Sequence, residues 1–465
     1  MSPAGSKSNG GIFKRYVYRN YWSYYAMKMA IRQRLTRGSV LVLLAIVFAG
    51  AMGADPNQSV AYQAFAFLAL LTVAGMVASR FHRVRLSLSR TTPRYASVGQ
   101  PVRYLLHVHN LTPRMQNGLM VLDEQADPRP TFEDFISIPE PGEEKRNWLD
   151  RRYGYYRWAW QLEQNERGLF NEANVGSLLG NGTADVEVEL TPSRRGILRM
   201  GRTTIAVPDP TGLFRSLRRV TNPGQIIVLP KRYPITDLPL PGSSRYQQGG
   251  VALASSVGQS DEFVSLREYR PGDPMRHIHW RSWARTGKPI VKEYQDEHFV
   301  RHALILDTFA PHVGAALFEE AVSVAASFAC TIQTQESLLD LMFVGPQAYC
   351  FTAGRGLAHQ EQMLEILASV QVCRTNEFES LTRLVIEHAS TVSGCMVVLL
   401  AWDEPRRELV RRLQALNVPV HVYVLVESGK AATVDASTVR LPPGDFHILE
   451  RGMIAEQLSG KVPQP

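Results

Sequence analysis

His302-Ala-Leu-Ile-Leu-Asp307 reads as a short buried strand that ends in an acid, and a helical stretch, Gly314 to Gln333, follows it. A change from a short apolar run to helical spacing marks a β–α unit. The pattern then repeats. Leu338 to Val344 reads as a strand, Gln360 to Val370 and Phe378 to Ala389 as helices, and Met396 to Ala401 as a strand. Glu404 to Leu416 (helix) and Val418 to Val426 (strand) complete the series. Strands alternating with helices give an open, largely parallel, Rossmann-like sheet covered on both faces, here over residues 300–465. Such sheets bind ligands at the carboxyl ends of their strands. Asp307 with its neighbour Thr308, and Asp403 after the Met396 strand, therefore fall on the functional rim.

Upstream the period shortens to two. Val102 to His109, Gly118 to Leu122, Tyr155 to Leu162, Ala184 to Leu190 and Ile197 to Val207 read as strands, and Pro139 to Arg152 reads as an exposed loop. Short strands with turn residues between them predict a β-sandwich-like domain over 86–237. Nothing in it looks catalytic. The four cysteines (Cys330, Cys350, Cys373, Cys395) form no CxxC pair, so a structural zinc site, a thioredoxin-type site and a disulfide framework are not expected, and buried reduced thiols are.

The formal charge of +8 is unevenly placed: residues 1–122 hold 15 Lys and Arg against one acid, Asp55. A nucleic-acid binder concentrates its basic charge on the folded domain. Here it surrounds two charge-free runs, Gly38 to Ala54 and Pro56 to Ser79, joined through Asp55-Pro-Asn-Gln58. About 20 apolar residues span the hydrocarbon of a bilayer, so the two runs predict a transmembrane helical hairpin over 38–79. Lys28, Arg32, Arg34 and Arg37 precede it, and Arg80, Arg83 and Arg85 follow it. Cationic flanks stay cytoplasmic. The expectation is an inner-membrane protein with both termini in the cytoplasm and no nucleic-acid partner. The leader, residues 1–37, carries Phe13-Lys-Arg-Tyr-Val-Tyr-Arg19 and Tyr21-Trp-Ser-Tyr-Tyr25. It suits either the lipid headgroup region or a disordered tail.

Residues 238–299 hold the densest polar chemistry: Gly258-Gln-Ser-Asp-Glu-Phe-Val-Ser-Leu-Arg-Glu-Tyr-Arg-Pro-Gly-Asp-Pro-Met-Arg-His-Ile-His-Trp-Arg-Ser-Trp-Ala-Arg-Thr-Gly-Lys288. Seven acids face seven Lys and Arg between Gln259 and Glu297, which predicts an ion-pair network with Arg forks on carboxylates. Pro271-Gly272-Asp273-Pro274 reads as a turn. On a strand, His277-Ile-His279 would point both rings to one face as metal ligands, with Asp261, Glu262 or Asp273 beside them. That is the route to a metal-dependent hydrolase. Arg267, Arg270, Arg276, Arg281 and Arg285 with Trp280 and Trp283 could stack on single-stranded nucleic acid, but the acids among them argue against it. The third reading is an ordered element that a partner protein recognises.

Ser260-Asp-Glu-Phe263, Leu266-Arg-Glu-Tyr-Arg-Pro-Gly-Asp273, Arg276-His-Ile-His-Trp280, Ala284-Arg285 and Val291-Lys-Glu-Tyr294 resemble the signature of the "domain of unknown function 58" family. Arg194-Arg-Gly196 and Asp209-Pro-Thr-Gly-Leu-Phe214 are weaker family features. The resemblance implies a membrane hairpin, a β-rich region, the signature and a von Willebrand factor A-like domain. It also implies partnership with MoxR-type AAA+ ATPases, sometimes with membrane transglutaminase-like proteins, in chaperone or envelope-maintenance systems, and no established enzymatic activity. In such a domain the rim uses Asp-x-Ser-x-Ser to hold Mg²⁺. Here Phe309 and Pro311 stand at the serine positions, so a metal at Asp307, Thr308 or Asp403 is not expected.

The function expected is thus a membrane-anchored cytoplasmic adaptor or scaffold, without cofactor or catalytic residue, contacting the bilayer, an AAA+ ATPase and other membrane proteins. The residues expected to carry it are Asp261, Glu262, Arg267, Glu268, Arg270, Gly272, Asp273, Arg276, His279, Trp280 and Arg285. The alternatives are the hydrolase and a structural envelope scaffold with no ATPase partner.

Overall fold

The computed structural model describes residues 8–52, 59–81, 84–209, 211–235, 263–294, 300–309, 314–331, 337–353, 357–373, 377–435, 439, 441–442 and 444–460. The chain divides into two units, residues 1–231 with 364–369, and residues 232–363 with 370–465.

The first unit begins with three helices, α1 (Ser8–Arg34), α2 (Arg37–Met52) and α3 (Ser59–Phe81). Residues Val60–Ser79 of α3 make one helix long and apolar enough to cross a membrane, and the apolar part of α2, Gly38–Met52, is shorter. The Asp55 to Gln58 connection lies outside the described residues. Strands β1 (Leu86–Thr91), β2 (Tyr95–Ser97), β3 (Val102–Asn110) and β4 (Gln116–Gln125) follow, then short helices α4 (Phe132–Ser137), α5 (Trp148–Tyr153) and α6 (Tyr155–Asn165). Strands β5 (Gly168–Phe170), β6 (Ala173–Leu178), β7 (Thr183–Pro192), β8 (Gly196–Pro208) and β9 (Arg215–Leu229) complete it.

Two curled sheets result, ordered β1-β3-β7-β5 and β2-β9-β8-β4-β6. Their alternating inward residues, among them Leu106, Val188, Val121, Ile205 and Ile226, form one core. A buried polar network crosses it. Arg90 on β1 donates to Asp123 Oδ1 on β4 at 2.6 Å and to the carbonyl of Asn222 at 2.6 Å. The Thr203 hydroxyl donates to the same Asp123 oxygen at 2.8 Å, and the Tyr104 hydroxyl to the other.

Two expectations are corrected here. Tyr155–Leu162 is not a strand but most of α6, and Pro139–Arg152 contains α5 and a 3-10 turn, Glu143–Lys145, rather than an open loop. Gly154 at φ 65° ends α5 and starts α6, a conformation glycine adopts without strain. The leader is neither tail nor free helix. Tyr18 of α1 packs edge-on against Phe132 and Trp158, and Arg129 lies 3.6 Å over the Trp22 ring.

The β8–β9 connection meets the apolar helices at Thr36, just before α2, and at Gly75 in the last third of α3. Asp209 accepts from the Phe214 amide at 2.9 Å and from the Thr211 hydroxyl. The Thr36 hydroxyl, just before α2, donates to the Gly212 carbonyl at 2.9 Å. A Cβ at Gly75 of α3 would lie 2.8 Å from both Asp209 Oδ2 and Thr211 Oγ1, so a larger residue there would have to displace those side-chain ends.

In the second unit β10 (Phe263–Glu268) and β11 (Ile290–Tyr294) form an antiparallel pair enclosing α7 (Trp280–Thr286). Then come β12 (Val300–Leu306), α8 (Ala315–Thr331), β13 (Ser337–Val344), β14 (Ala348–Ala353), α9 (Leu357–Ser369, of which 364–369 count with the first unit) and α10 (Glu379–His388). They are followed by β15 (Gly394–Leu399), α11 (Glu404–Ala415), β16 (Val420–Val426), β17 (Phe446–Glu450) and α12 (Ile454–Leu458). The described strands form a sheet ordered β14-β13-β12-β15-β16-β17, parallel except for β14 at one edge. Strand β15 is buried along its whole length, as a central strand covered on both faces must be. All four cysteines are unpaired, but only Cys373 and Cys395 are fully buried; Cys330 and Cys350 are half-buried. Burial pushes the Cys395 thiol up to about 12.

Candidate functional site

Two places carry the chemistry anticipated from the sequence, and both lie in the second unit. The first is the signature hairpin. Arg267 on β10 grips Asp273 with both arms of its guanidinium, Nη1 to Oδ2 at 2.7 Å and Nη2 to Oδ1 at 2.8 Å. Asp273 also accepts from the Arg270 amide at 2.8 Å, while its own amide donates to the Arg270 carbonyl at 3.0 Å. The Arg–carboxylate fork thus fixes the Pro271-Gly272 turn, where Gly272 sits at φ 109°. Glu268 pairs with Lys288 at 3.1 Å across the hairpin on the exposed surface.

The Arg267 hydrogen bonds, with the Arg270 amide, hold the Asp273 carboxyl at about 2, below its ordinary 3.8. A carboxyl depressed by folding stabilises the turn above its unfolded pKa, and that contribution fades as pH falls through the folded value. Protection of the Arg270 and Asp273 amides from hydrogen exchange is therefore expected to be full above about pH 4 and to fall toward about pH 2. In Asp273→Asn the same amides should exchange faster and show no such step.

His277 closes a 3-10 turn, Met275–His277, and His279 precedes α7, so the His-x-His run is not a strand with both rings on one face. The His279 ring nitrogen Nδ1 lies 2.6 Å from the Ser282 hydroxyl, and the Arg276 Nε donates to His277 Nε2 at 3.3 Å. Among the described residues no three His, Cys, Asp or Glu side chains gather as a metal group would require. Asp261 and Glu262 lie outside the described residues.

What the hairpin presents outward is apolar and cationic. Trp280 stacks on Trp283 with centroids 5.3 Å apart, yet remains 62% exposed, and Met275 is 73% exposed. Arg270, Arg276, Arg281 and Arg285 are exposed around them. Buried Ile278 and Val291 pack beneath as the small core that orients this face.

The second place is the rim of the open sheet, where β12 is flanked by β13 on one side and β15 on the other. The Asp307 carboxylate is fully buried, and every oxygen is occupied. Oδ1 accepts from the Phe309 amide at 2.9 Å; Oδ2 accepts from the Leu400 amide at 3.0 Å and from Arg406 Nε at 2.6 Å. Arg406, on α11, also donates to Asp403 Oδ2 at 2.6 Å and to the Phe309 carbonyl at 2.7 Å. Asp403 caps α11 by accepting from the Arg406 amide. The Thr308 hydroxyl donates to the Val344 carbonyl at the end of β13.

Burial pushes the Asp307 carboxyl upward, opposed by Arg406 and the two amides. For Arg406 burial works against the charge, and the carboxylates of Asp307 and Asp403 more than offset it. A hard divalent ion takes six or more oxygens. Here both Asp307 oxygens are already engaged by two amides and Arg406, and Asp403 by the same guanidinium. Arg406 is the residue that the sequence reading missed. Its signal was present: Arg406, Leu409, Val410 and Leu413 share the buried face of α11, a charge standing in an apolar stripe.

Residues 265–400, which hold most of the signature and four of the six strands of the open sheet, match the family described as "Protein of unknown function DUF58". The chain is also similar to a Bacillus subtilis (strain 168) protein, "Uncharacterized protein YeaD", 30% identical over 128 residues. The similarity covers 27% of this chain and 31% of the relative, so the chain spans about a third of that protein's length. Among solved structures, the CARDB domain of a Pyrococcus furiosus protein is similar to 32% of this chain over 91% of its own length, at 14% identity and a TM-score of 0.17. A cohesin module from a Clostridium perfringens family 33 glycoside hydrolase is similar to 31% of this chain over 99% of its own length, at 14% identity and a TM-score of 0.18. Neither carries an argument about fold or function.

Proposed function

We propose that the chain is a membrane-anchored adaptor whose signature hairpin docks a partner protein, an AAA+ ATPase of the MoxR type. The observation that carries the reading is the exposed Trp280 and Met275 on a rigid, fork-braced hairpin ringed by Arg276, Arg281 and Arg285. Exposed aromatic and Arg side chains are what interface hot spots are made of. The open parallel sheet with its antiparallel edge strand supports a von Willebrand factor A-like domain beside it, with its rim closed by Arg406. Consecutive apolar helices α2 and α3, with cationic residues before the first and after the second, support a hairpin in the inner membrane with both termini cytoplasmic.

Affinity capture of the membrane-inserted protein after crosslinking tests this. Wild type is expected to bring down an AAA+ ATPase, and Trp280→Ala and Arg276→Ala, which change exposed side chains only, are expected to lose at least tenfold of it without loss of folded protein. A capture free of AAA+ ATPase would leave a structural scaffold as the better description, and a capture undiminished in both variants would overturn the hairpin face as the docking site.

A further inference from the structure

Helix α1 has two unlike faces. With 100° of turn per residue, Val17, Tyr18, Tyr21, Tyr25 and Gln33 share the side that packs against the protein. Tyr18 meets Phe132 and Trp158, Tyr25 donates to Glu166 at 3.3 Å, and Gln33 to Glu124 at 2.6 Å. Ile12, Tyr16, Tyr24, Met27 and Ile31 fall within about 120° on the opposite side, and all are exposed, from 48% to 68%. Asn20, Ser23 and Arg34 stand on the same face, which is therefore mixed, with five large apolar or aromatic side chains exposed on it.

The borders of this stripe are cationic. Arg19 and Lys28 flank it, the helix holds six Lys and Arg, and it contains no acid. Only Leu35 and Thr36 separate α1 from α2, so the stripe leads directly into the apolar helices. Exposed rings continue it sideways: Tyr153 packs against Phe13 and Tyr155 against Tyr21.

We infer that α1 is an interfacial helix that seats its Ile12-Tyr16-Tyr24-Met27-Ile31 stripe in the headgroup and upper acyl region of a bilayer containing anionic lipid. Apolar side chains bordered by Lys and Arg have the composition of helices that lie in that interface. The inference rests on the reading of α2 and α3 as membrane spans. Its consequence is orientational: the aromatic contacts of α1 with α4–α6 would hold the first unit against the membrane surface.

The test uses the full chain reconstituted in vesicles of phosphatidylcholine with phosphatidylglycerol. Nitroxide labels are placed at Tyr16→Cys, Met27→Cys, Leu70→Cys and Glu187→Cys, in a background with Cys330→Ser and Cys350→Ser. Accessibility to oxygen against a water-soluble nickel chelate is then read. Leu70 on α3 reports the span and Glu187 the aqueous surface. The expected result is an oxygen preference at Tyr16 and Met27, well above Glu187 and below Leu70, decreasing when phosphatidylglycerol is omitted. Nickel preference at both stripe positions while Leu70 stays oxygen-accessible would overturn the inference and leave the spans standing. Exclusion of both reagents at the stripe would mean a protein covers it, which also overturns the inference. A nickel preference at Leu70 would overturn the spans and the inference together.

Discussion

Replacing Arg406 with methionine is expected to destabilise the open-sheet unit by about 3–5 kcal/mol, the range for removing one partner of a buried ion pair. The methionine keeps most of the apolar stem, so the loss isolates the charge. Asp307 would be left fully buried with two amides and no cation, and Asp403 without its bridge to Arg406. Hydrogen exchange at the β12 and β15 amides of the solubilised protein reads the effect. Adding Asp307→Asn to Arg406→Met is expected to recover part of the loss, because the uncompensated charge is then gone while an acceptor for one amide remains. A loss below about 1 kcal/mol for the single variant would mean that the guanidinium does not balance the Asp307 charge.

Asp123→Ala is expected to cost the first unit a similar amount, about 3–5 kcal/mol, and for a related reason. It strands the Arg90 guanidinium, 2% exposed, and removes the acceptor for the Tyr104 and Thr203 hydroxyls at once. These partners sit on β1, β3 and β8, so the loss loosens the contact between the two sheets rather than one strand. Amide exchange on β3 and β8 is expected to quicken together. If only β4, which carries Asp123, responds, the network is local and does not tie the sheets.

Much of the fold was legible because burial writes its period into the chain. Residues Val102 to His109 and Ala184 to Leu190 alternate as half-buried strands must, and they stand in β3 and β7. Ala303 to Leu306 and Met396 to Leu399 are apolar throughout, as strands covered on both faces must be. Tyr155 to Leu162 misled because Tyr and Trp favour strands. The helical sign was the spacing of Trp158 and Gln161, which are buried together three residues apart on α6. The signature's Arg and Asp residues were found by composition, but which Arg took which carboxylate was not. Arg267 and Asp273 are six residues apart and meet only because β10 ends in a turn. The role of Arg406 depends on strand order, which brings α11 over the end of β12 and cannot be read from local pattern.

The claim that matters most is that the face around Trp280 docks an AAA+ ATPase. Photo-crosslinking in intact cells tests it at one position, with a benzophenone amino acid in place of Trp280 and the crosslinked peptides sequenced by mass spectrometry. The account predicts peptides of an AAA+ ATPase, absent when the probe stands instead at Glu187 on the first unit. Crosslinks that reach only this chain or proteins outside that class, with the protein folded and in the membrane, would contradict it.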